Sequence, residues 1–221
     1  MSHTLVTTKL RVPRTRPSLV ARPRLCQALD RDAGRRLTLV SAPAGFGKTT
    51  LLAEWLQARS QQGPVAWVSL DGSDNDPARF LSYLVTALRT VEEAIGDGIL
   101  ASLGSPEPPP VEVVVGALVN ELAGVDQEIT IVLDDYHLID SKPVHQAVSF
   151  LLEHPPESVH LVVSGRTDPP LPLARLRARG QLAELGAADL RFTTQEATAF
   201  LNDAMGLALS AGDVAALEEI T

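Results

Sequence analysis

The chain has 221 residues, of which 45% are hydrophobic and 21% charged, an ordinary composition for a globular protein with a substantial core. Its formal net charge of −8 argues against a segment that binds nucleic acid by itself, and its single cysteine, Cys26, excludes an internal disulfide and indicates a small buried side chain in a reducing compartment. No apolar run approaches the roughly 18 residues that cross a membrane and no signal segment starts the chain, so we expect a cytoplasmic protein without a membrane partner.

Helices and strands are predicted to alternate along most of the chain. The first 35 residues are rich in Arg and Pro, and Pro13, Pro17 and Pro23 interrupt any long element there. Beyond them, short runs of Val, Leu and Ile indicate buried strands, and apolar residues at helical spacing indicate amphipathic helices. The predicted strands are Leu37–Ser41, Val65–Leu70, Ile129–Leu133, His160–Ser164 and Leu182–Leu185. The predicted helices cover 48–59, 76–88, 111–122, 144–153, 173–178, 193–205 and the chain from 210 onward, and a surface loop covers 96–110.

A glycine-containing loop, Ala42–Thr49, lies between the first predicted strand and the helix that follows it. Its end, Gly47-Lys-Thr, matches the phosphate-loop pattern G-x-x-x-x-G-K-[ST], with Ala42 in place of the first glycine. Such a loop aims successive backbone N–H groups at phosphates at the positive end of a helix, while Lys48 reaches the β- and γ-phosphates and Thr49 offers its hydroxyl to Mg²⁺. The predicted nucleotide-binding residues here are Ala44, Gly45, Phe46, Gly47, Lys48, Thr49 and Thr50.

The alternation of strands and helices, together with this loop, predicts a P-loop NTPase fold. We expect an α/β three-layer sandwich with a mainly parallel central sheet of five strands in the order 5-1-4-3-2, followed by the start of a helical segment. Ligands of such sheets bind beyond the carboxyl ends of the strands, which is where the phosphate loop falls.

Two carboxylates, Asp134 and Asp135, end the third predicted strand. Asp134 is predicted to hold Mg²⁺ together with Thr49, and Asp135 to polarise the water that attacks the γ-phosphate. A solvated strand end or a helix cap is the alternative for both acids. Arg166, just after the fourth strand, is a candidate catalytic residue that would sense the γ-phosphate, or else a partner in a surface salt bridge.

Two further charged clusters have plainer explanations. Arg175, Arg177 and Arg179 crowd one short helix, where one of them could reach the nucleotide or all could form a solvated basic face. The acidic run Asp71–Asp76 lacks the spacing of a calcium loop, so cap and turn chemistry explains it better.

Several motifs in this order resemble one known family. They are Lys9-Leu-x-x-Pro-Arg-x-Arg-Pro-x-Leu-Val-x-Arg-Pro-Arg-Leu25, Ser41-Ala-Pro-Ala-Gly-Phe-Gly-Lys-Thr-Thr50, Trp67-Val-Ser-Leu-Asp71, Asp74-Asn-Asp-Pro-x-Arg-Phe80 and Val132-Leu-Asp-Asp-Tyr-His137. Together they resemble the N-terminal ATPase domain of the MalT-like, LuxR-type transcriptional activators, which belong to the signal-transduction (STAND) class of P-loop ATPases. The likeness runs from about Lys9 to the end of the chain, and Ala42 is in keeping with that family's loop.

The resemblance implies a switch that uses ATP, ADP and Mg²⁺. In such proteins ADP holds a monomeric resting state, an inducer and ATP favour self-association, and slow ATP hydrolysis resets the switch. DNA and RNA polymerase would be contacted only through domains absent from this sequence, and the inducer is unknown. The resemblance also implies that Val20 and Arg22 lie on the adenine side of the nucleotide; a solvated basic strand is the alternative for the arginines there.

The resemblance and the predicted elements together suggest three parts. Residues 1–35 would form an adenine-side segment, 36–190 the nucleotide-binding domain, and 191–221 the start of a helical subdomain. Three other functions share the phosphate loop: a small-molecule kinase, a module that holds ADP structurally, and a remodelling ATPase that assembles constitutive rings. A kinase needs an acceptor pocket and a lid, and we find no lid-like segment beyond the Arg175 cluster.

Overall fold

The computed structural model describes residues 5–15, 20–32, 34–59, 63–210 and 212–214. Five parallel strands form one sheet in the order β2-β3-β4-β1-β5, which is the predicted order read from the other edge. The strands are β1 (Leu37–Ser41), β2 (Val65–Ser69), β3 (Ile129–Asp134), β4 (Val159–Gly165) and β5 (Leu182–Leu185). The predicted α/β fold with a parallel sheet is therefore confirmed.

The helices connect these strands and cover both faces of the sheet. They are α1 (Pro23–Arg31), α2 (Lys48–Ala58), α3 (Pro77–Arg89), α4 (Asp97–Leu103), α5 (Val111–Leu122), α6 (Lys142–Glu153), α7 (Leu173–Ala178), α8 (Ala187–Leu190) and α9 (Thr194–Ala199). Short 3₁₀ turns cover Thr7–Leu10, Gly72–Asn75 and Tyr136–Leu138.

Alternate residues of each strand enter two separate core layers, because successive side chains of a strand point to opposite faces. In β4, for example, Leu161 and Val163 enter the larger layer and Val162 the smaller one. Helices α3 to α7 close the larger layer, and α1, α2 and α8 close the smaller one. The result is the three-layer sandwich that the sequence predicts.

Three helices of the structure were not predicted: α1, α4 and the four-residue α8. Residues 96–110 were expected to be a surface loop, but α4 lies within them because Ile99 and Leu103, four residues apart, are buried in the larger core layer. The proline-rich first segment was expected to hold no long element, but α1 starts at Pro23, and a proline is well tolerated in the first turn of a helix. Cys26 on α1 is half-buried, and burial raises the pKa of its thiol to about 11.

The C-terminal segment starts as predicted and then departs from it. Thr193 and Glu196 form the predicted capping box at the start of α9, but regular α-helix ends at Ala199 and a π turn covers Phe200–Ala204. The Ser210 hydroxyl and the Asp213 carboxylate also exchange hydrogen bonds with each other's backbone N–H. Most of the helix predicted from Ser210 onward lies outside the described residues.

Because all five strands are parallel, their carboxyl ends share one edge of the sheet. The phosphate loop after β1, the acidic pair at the end of β3 and the segment after β4 all lie along that edge. Within the described ranges, no helix is both long and apolar enough to cross a membrane.

Candidate nucleotide-binding site

The phosphate loop is shaped by two glycines with left-handed backbone. Gly45 has φ 87° and Gly47 has φ 74°, a region that costs residues with a side chain more than it costs glycine. Gly47 is also the N-cap of α2, so the loop leads directly into the positive end of that helix. Phe46 packs against the smaller core layer, and the Ala42 N–H donates to the Gly165 carbonyl at 3.2 Å. The loop is thus anchored to both its own helix and β4.

Lys48 is folded back along this loop. Its side chain is buried, and its ammonium donates hydrogen bonds to the carbonyl oxygens of Ala42, at 2.7 Å, and Pro43, at 3.0 Å. Burial lowers the pKa of Lys48, and the nearby carboxylate of Asp135 acts in the opposite direction. A buried cation held by neutral carbonyls can interact with a polyanion without first breaking an ion pair.

The phosphate loop and the acidic end of β3 meet at a hydrogen bond. The Thr49 hydroxyl donates to the Asp134 carboxylate, with oxygen–oxygen distances of 2.9 and 3.1 Å, although the two residues are 85 positions apart. Asp134 is 2% exposed and also accepts from the Ser164 hydroxyl. Burial raises the pKa of Asp134, and the hydrogen bonds from Ser164 and Thr49 oppose that rise. The structure thus brings together the two residues predicted to hold Mg²⁺.

Asp135 is presented at the surface of the same edge. It has the left-handed φ of 59°, unusual for a residue with a side chain, and its N–H donates to the Ser164 hydroxyl at 3.2 Å. Its carboxylate is 45% exposed, whereas the carboxylate of Asp134 faces inward. Two adjacent acids therefore have different environments, one buried beside Thr49 and one open to solvent.

His137 is a site residue to which the sequence analysis gave no role. Its Nδ1 lies 3.8 Å from an Asp135 carboxylate oxygen, and neither ring nitrogen has a hydrogen-bond partner among the described residues, although both are buried. Burial lowers the pKa of His137; the Asp135 carboxylate raises it, and the cations Arg166 and Lys48 lower it further. In the sequence, the only indication of a role in the site was the position of His137 at the end of the Asp134-Asp-Tyr-His137 motif, two residues after the acidic pair.

The arginines predicted as candidates fall into two groups. Arg166 is exposed and close enough to Lys48 and His137 to lower the pKa of both. On α7, Arg175 pairs with Glu153 at 2.8 Å and Arg177 with Glu184. Those two side chains are bonded to α6 and β5, in keeping with the surface explanation.

Val20 and Arg22 lie where α1 begins, and residues 16–19 before them are outside the described residues. Val20 is half-buried. The guanidinium of Arg22 is buried and donates to the carbonyl oxygens of Leu190, at 2.6 Å, and Arg191, at 3.1 Å. Burial rules out a solvated strand for Arg22, and its guanidinium contacts the segment after β5 rather than the phosphate loop.

The residues at this edge fit a nucleoside triphosphate with Mg²⁺. The Thr49 hydroxyl and the Asp134 carboxylate supply the oxygen ligands that Mg²⁺ prefers. Lys48 supplies a buried cation, and the two orphaned nitrogens of His137 supply polar groups that a ligand or water can satisfy. The first N–H groups of α2, which follow Gly47, have no partners within the helix and are available to an anion at its positive end.

The parallel sheet with its phosphate loop between β1 and α2 defines a P-loop nucleoside triphosphatase domain, a fold that implies nucleotide binding. The family model described as an AAA ATPase domain matches residues 22–164, more than half of the chain. The chain therefore belongs to the AAA ATPase domain family.

Two curated relatives show the same likeness over nearly the whole chain. The HTH-type transcriptional regulator MalT of Serratia proteamaculans is 41% identical over 198 residues, which cover 90% of this chain and 22% of the regulator. The serine/threonine-protein kinase PknK of Mycobacterium tuberculosis is 38% identical over 205 residues, covering 92% of this chain and 18% of the kinase. The chain thus spans about a fifth of the length of these relatives.

Solved structures support the fold alone. Cdc6p from Pyrobaculum aerophilum superposes with a TM-score of 0.54 at 16% identity, covering 87% of this chain and 50% of that one. The Orc1 protein of Aeropyrum pernix, solved in complex with DNA, gives a TM-score of 0.50 at 20% identity, covering 83% and 48%.

Proposed function

We propose that this chain is the ATP-binding and slowly hydrolysing switch domain of a MalT-like transcriptional regulator. The observation that carries the proposal is the hydrogen bond between Thr49 and Asp134, which joins the phosphate loop to the acidic strand end. These two side chains offer oxygen ligands of the kind that Mg²⁺–ATP requires, which supports the proposal. The 41% identity to MalT supports the regulatory setting.

In this proposal each residue of the site has a distinct task. Thr49 and Asp134 would hold Mg²⁺, which when bound neutralises charge on the phosphates. Lys48 and the backbone of the loop, from Ala44 to Thr50, would bind the phosphates. Asp135 would accept a proton from the attacking water.

The remaining site residues would support these tasks. His137 would steady the attacking water beside Asp135, because its ring nitrogens have no other partner among the described residues. Arg166 would stabilise charge that develops on the γ-phosphate. Val20 and Arg22 would lie on the adenine side, with Arg22 also anchoring the segment after β5.

The wider behaviour of the protein is part of the same proposal. ATP would favour self-association and ADP a monomer, and hydrolysis would return the first state to the second. DNA and RNA polymerase would be contacted through other parts of a longer protein, in the cytoplasm, in response to an inducer that binds elsewhere. In the proposed three-part division at residues 35 and 190, the first part would lie on the adenine side of the nucleotide and the second would bind its phosphates.

Asp135→Asn tests the assignment of the base. The amide cannot accept a proton, so we expect ATP and ADP to bind with affinities within about twofold of wild type while hydrolysis falls by about 100-fold. Asp126→Asn, at an exposed aspartate before β3, is the control and should hydrolyse ATP normally. Binding is measured by isothermal titration calorimetry and hydrolysis by release of phosphate under single-turnover conditions.

Other outcomes would favour other functions. Unchanged hydrolysis in Asp135→Asn would remove the base role from this residue. Transfer of labelled γ-phosphate to a metabolite instead of water would indicate a small-molecule kinase. Tight ADP binding without any turnover in the full-length protein would indicate a structural ADP-binding module.

A further inference from the structure

The loop that carries Asp135 and His137 is held in place by a side chain from another part of the chain. This loop, Asp135–Ser141, connects β3 to α6 and is called the β3–α6 loop below. Asn75, at the end of the 3₁₀ turn after β2, forms hydrogen bonds with this loop, although the bonded residues lie 63 to 66 positions away in sequence. Asn75 belongs to the acidic run that the sequence explained by turn chemistry alone.

The amide of Asn75 makes four hydrogen bonds, three of them to the β3–α6 loop. Its Nδ2 donates to the carbonyl of Leu138 at 2.9 Å and to that of Gly72, in its own turn, at 3.1 Å. Its Oδ1 accepts from the backbone N–H of Asp140 at 2.7 Å and of Ser141 at 2.8 Å. Both donor positions and both acceptor positions of the amide are therefore used.

These bonds do not cap helix α6. The N-cap of α6 is Ser141, and a capping side chain would accept from N–H groups in the first turn after it. Asn75 instead binds groups at or before Ser141, so it orders the loop between the acidic pair and the helix. That loop has Asp135 at one end, where the residue adopts a left-handed conformation, and His137 two residues later.

The turn that bears Asn75 is itself firmly anchored. Its neighbour Asp74 is fully buried, and its carboxylate accepts hydrogen bonds from Lys9, Arg79 and the backbone N–H of Asp71. The Lys9 ammonium also lies 4.4 Å from the centre of the Tyr83 ring. These contacts fix the turn to the segments around Lys9 and Arg79, so Asn75 projects from a turn with many bonds of its own.

We infer that Asn75 is a positioning residue for ATP hydrolysis, acting by holding the β3–α6 loop so that Asp135 and His137 face the γ-phosphate. The inference rests on the proposed function of the site. The described hydrogen bonds of Asn75 go to its own turn and to the β3–α6 loop, and none goes to the phosphate loop. Asn75 is therefore expected to affect the rate of the chemical step and leave nucleotide affinity alone.

Asn75→Ala is the test. Small misplacements of a catalytic group slow a reaction strongly, so we expect the hydrolysis rate at saturating ATP to fall about tenfold. The dissociation constants of ATP and ADP should stay within about twofold of wild type. Amide hydrogen exchange, followed by NMR, should accelerate at Asp140 and Ser141, whose N–H groups lose their acceptor.

The matched control is Asn202→Ala. The Asn202 amide also bonds to a loop backbone, with two hydrogen bonds where Asn75 has three, to the N–H and the carbonyl of Leu209, but it lies on the segment after α9. We expect faster exchange at Leu209 and unchanged exchange at Asp140, with hydrolysis at the wild-type rate. Asn75→Asp, which keeps the accepting oxygen, serves as a second variant if Asn75→Ala does not fold, and its rate should lie between those of alanine and wild type.

The outcomes separate the two proposals. Wild-type hydrolysis in Asn75→Ala, or an equal loss of rate and of nucleotide affinity, would overturn the positioning role and leave the proposed function standing. A wild-type protein that binds ATP without hydrolysing it would overturn the proposed function, and the positioning role with it. A rate that falls with unchanged affinity and faster exchange at Asp140 and Ser141 supports both.

Discussion

At the scale of single residues, the carboxylates along the carboxyl edge of the sheet have opposite pKa shifts for identifiable reasons. Burial raises the pKa of Asp134, which is almost fully covered. Hydrogen bonds from the Ser73 side chain, followed by those from Lys9 and the Ser73 backbone, lower the pKa of Asp71 to about 2, against the effect of its partial burial. Burial thus makes the charged form of Asp134 less favourable, whereas hydrogen bonds make the charged form of Asp71 more favourable.

The lowered pKa of Asp71 predicts a pH dependence of stability. A carboxylate whose pKa is lower in the folded state stabilises the fold above its unfolded pKa, near 3.8, and loses that contribution as the pH falls toward 2. Ser73→Ala removes the hydrogen bond that lowers the pKa of Asp71 most. The variant should therefore lose more unfolding free energy, relative to wild type, at pH 6 than at pH 3. Urea unfolding at both pH values measures this difference.

The control for that experiment is Ser102→Ala. The described hydrogen bond of the Ser102 hydroxyl goes to the carbonyl of Ile99, which does not ionise. The variant should therefore lose the same unfolding free energy at both pH values. A pH-independent cost in Ser73→Ala as well would mean that Ser73 does not set the pKa of Asp71.

At the scale of elements, α4 shows how packing creates a helix that local sequence does not indicate. Its N-cap, Gly96, has φ 78°, and the backbone N–H of Gly96 donates to the Glu121 carboxylate on α5 at 2.6 Å. Ile99 and Leu103 then enter the core beside α3. The helix forms because its start is bonded to a neighbouring helix and one face is buried.

Gly96→Ala should therefore destabilise the protein. A Cβ built at Gly96 lies 2.1 Å from Cγ1 of Val85, and the backbone is in the left-handed region that disfavours alanine. We expect the unfolding free energy to fall by about 2 kcal/mol or more, because overpacking and backbone strain act together. Thermal or urea denaturation measures the change.

Gly98→Ala is the matched control, two residues away within α4. A Cβ there meets no atom within 4 Å, and alanine favours helix over glycine, so stability should stay the same or rise by up to about 1 kcal/mol. Equal losses in the two variants would show that α4 tolerates no alanine, and would refute the specific clash at Gly96.

At the scale of the whole molecule, a cluster of charges joins α1 and its N-cap to α9. Arg24 donates to both carboxylate oxygens of Glu196 at 2.9 Å, and Arg22 lies 3.6 Å from the same carboxylate. Arg22 and Glu196 are 5% and 8% exposed. Burial alone would raise the pKa of Glu196, but the hydrogen bond from Arg24 and the capping bond at Thr193 lower it.

Glu196→Gln should weaken the charge cluster that links Arg22 and Arg24 to α9. Breaking a buried ion pair from one side leaves the other charge uncompensated, so we expect a loss of about 3 kcal/mol in unfolding free energy near pH 7. Because the pKa of Glu196 is lowered below 4.5, the loss should be complete above that pH and should shrink as the pH falls further and the wild-type carboxylate takes up a proton as well. Urea unfolding across this range provides the measurement.

Glu153→Gln, which disrupts the exposed pair with Arg175, is the comparison and should cost less than about 1 kcal/mol. If Glu196→Gln costs no more than this exposed pair, the charge cluster contributes little to the connection between the first and last segments.

Most of the fold could be predicted from sequence, because its signals are local. The strands are short apolar runs, and their carboxyl ends carry the phosphate loop and the acidic pair. The missed helices have different explanations. In α1 the prolines before it concealed an amphipathic pattern, in which Leu25 and Leu29 are buried four residues apart. The helices α4 and α8 are short, and their stability comes from contacts with distant residues. The phosphate loop could be recognised from a local signal as well, since Gly47, Lys48 and Thr49 are consecutive.

The sequence by itself determined the class of protein, the parallel sheet and the identity of the phosphate loop, because each depends on residues near one another in the chain. The pairing of Thr49 with Asp134 was also predicted, because both belong to recognisable motifs at strand ends. Only the tertiary structure decided which other distant side chains act together. The burial of His137, the hydrogen bonds from Asn75 to the β3–α6 loop and the contacts of Arg22 all depend on residues from separate elements. Their partners are set by how parallel strands bring their ends to one edge and how helices pack on the sheet, and neither is written in any local pattern.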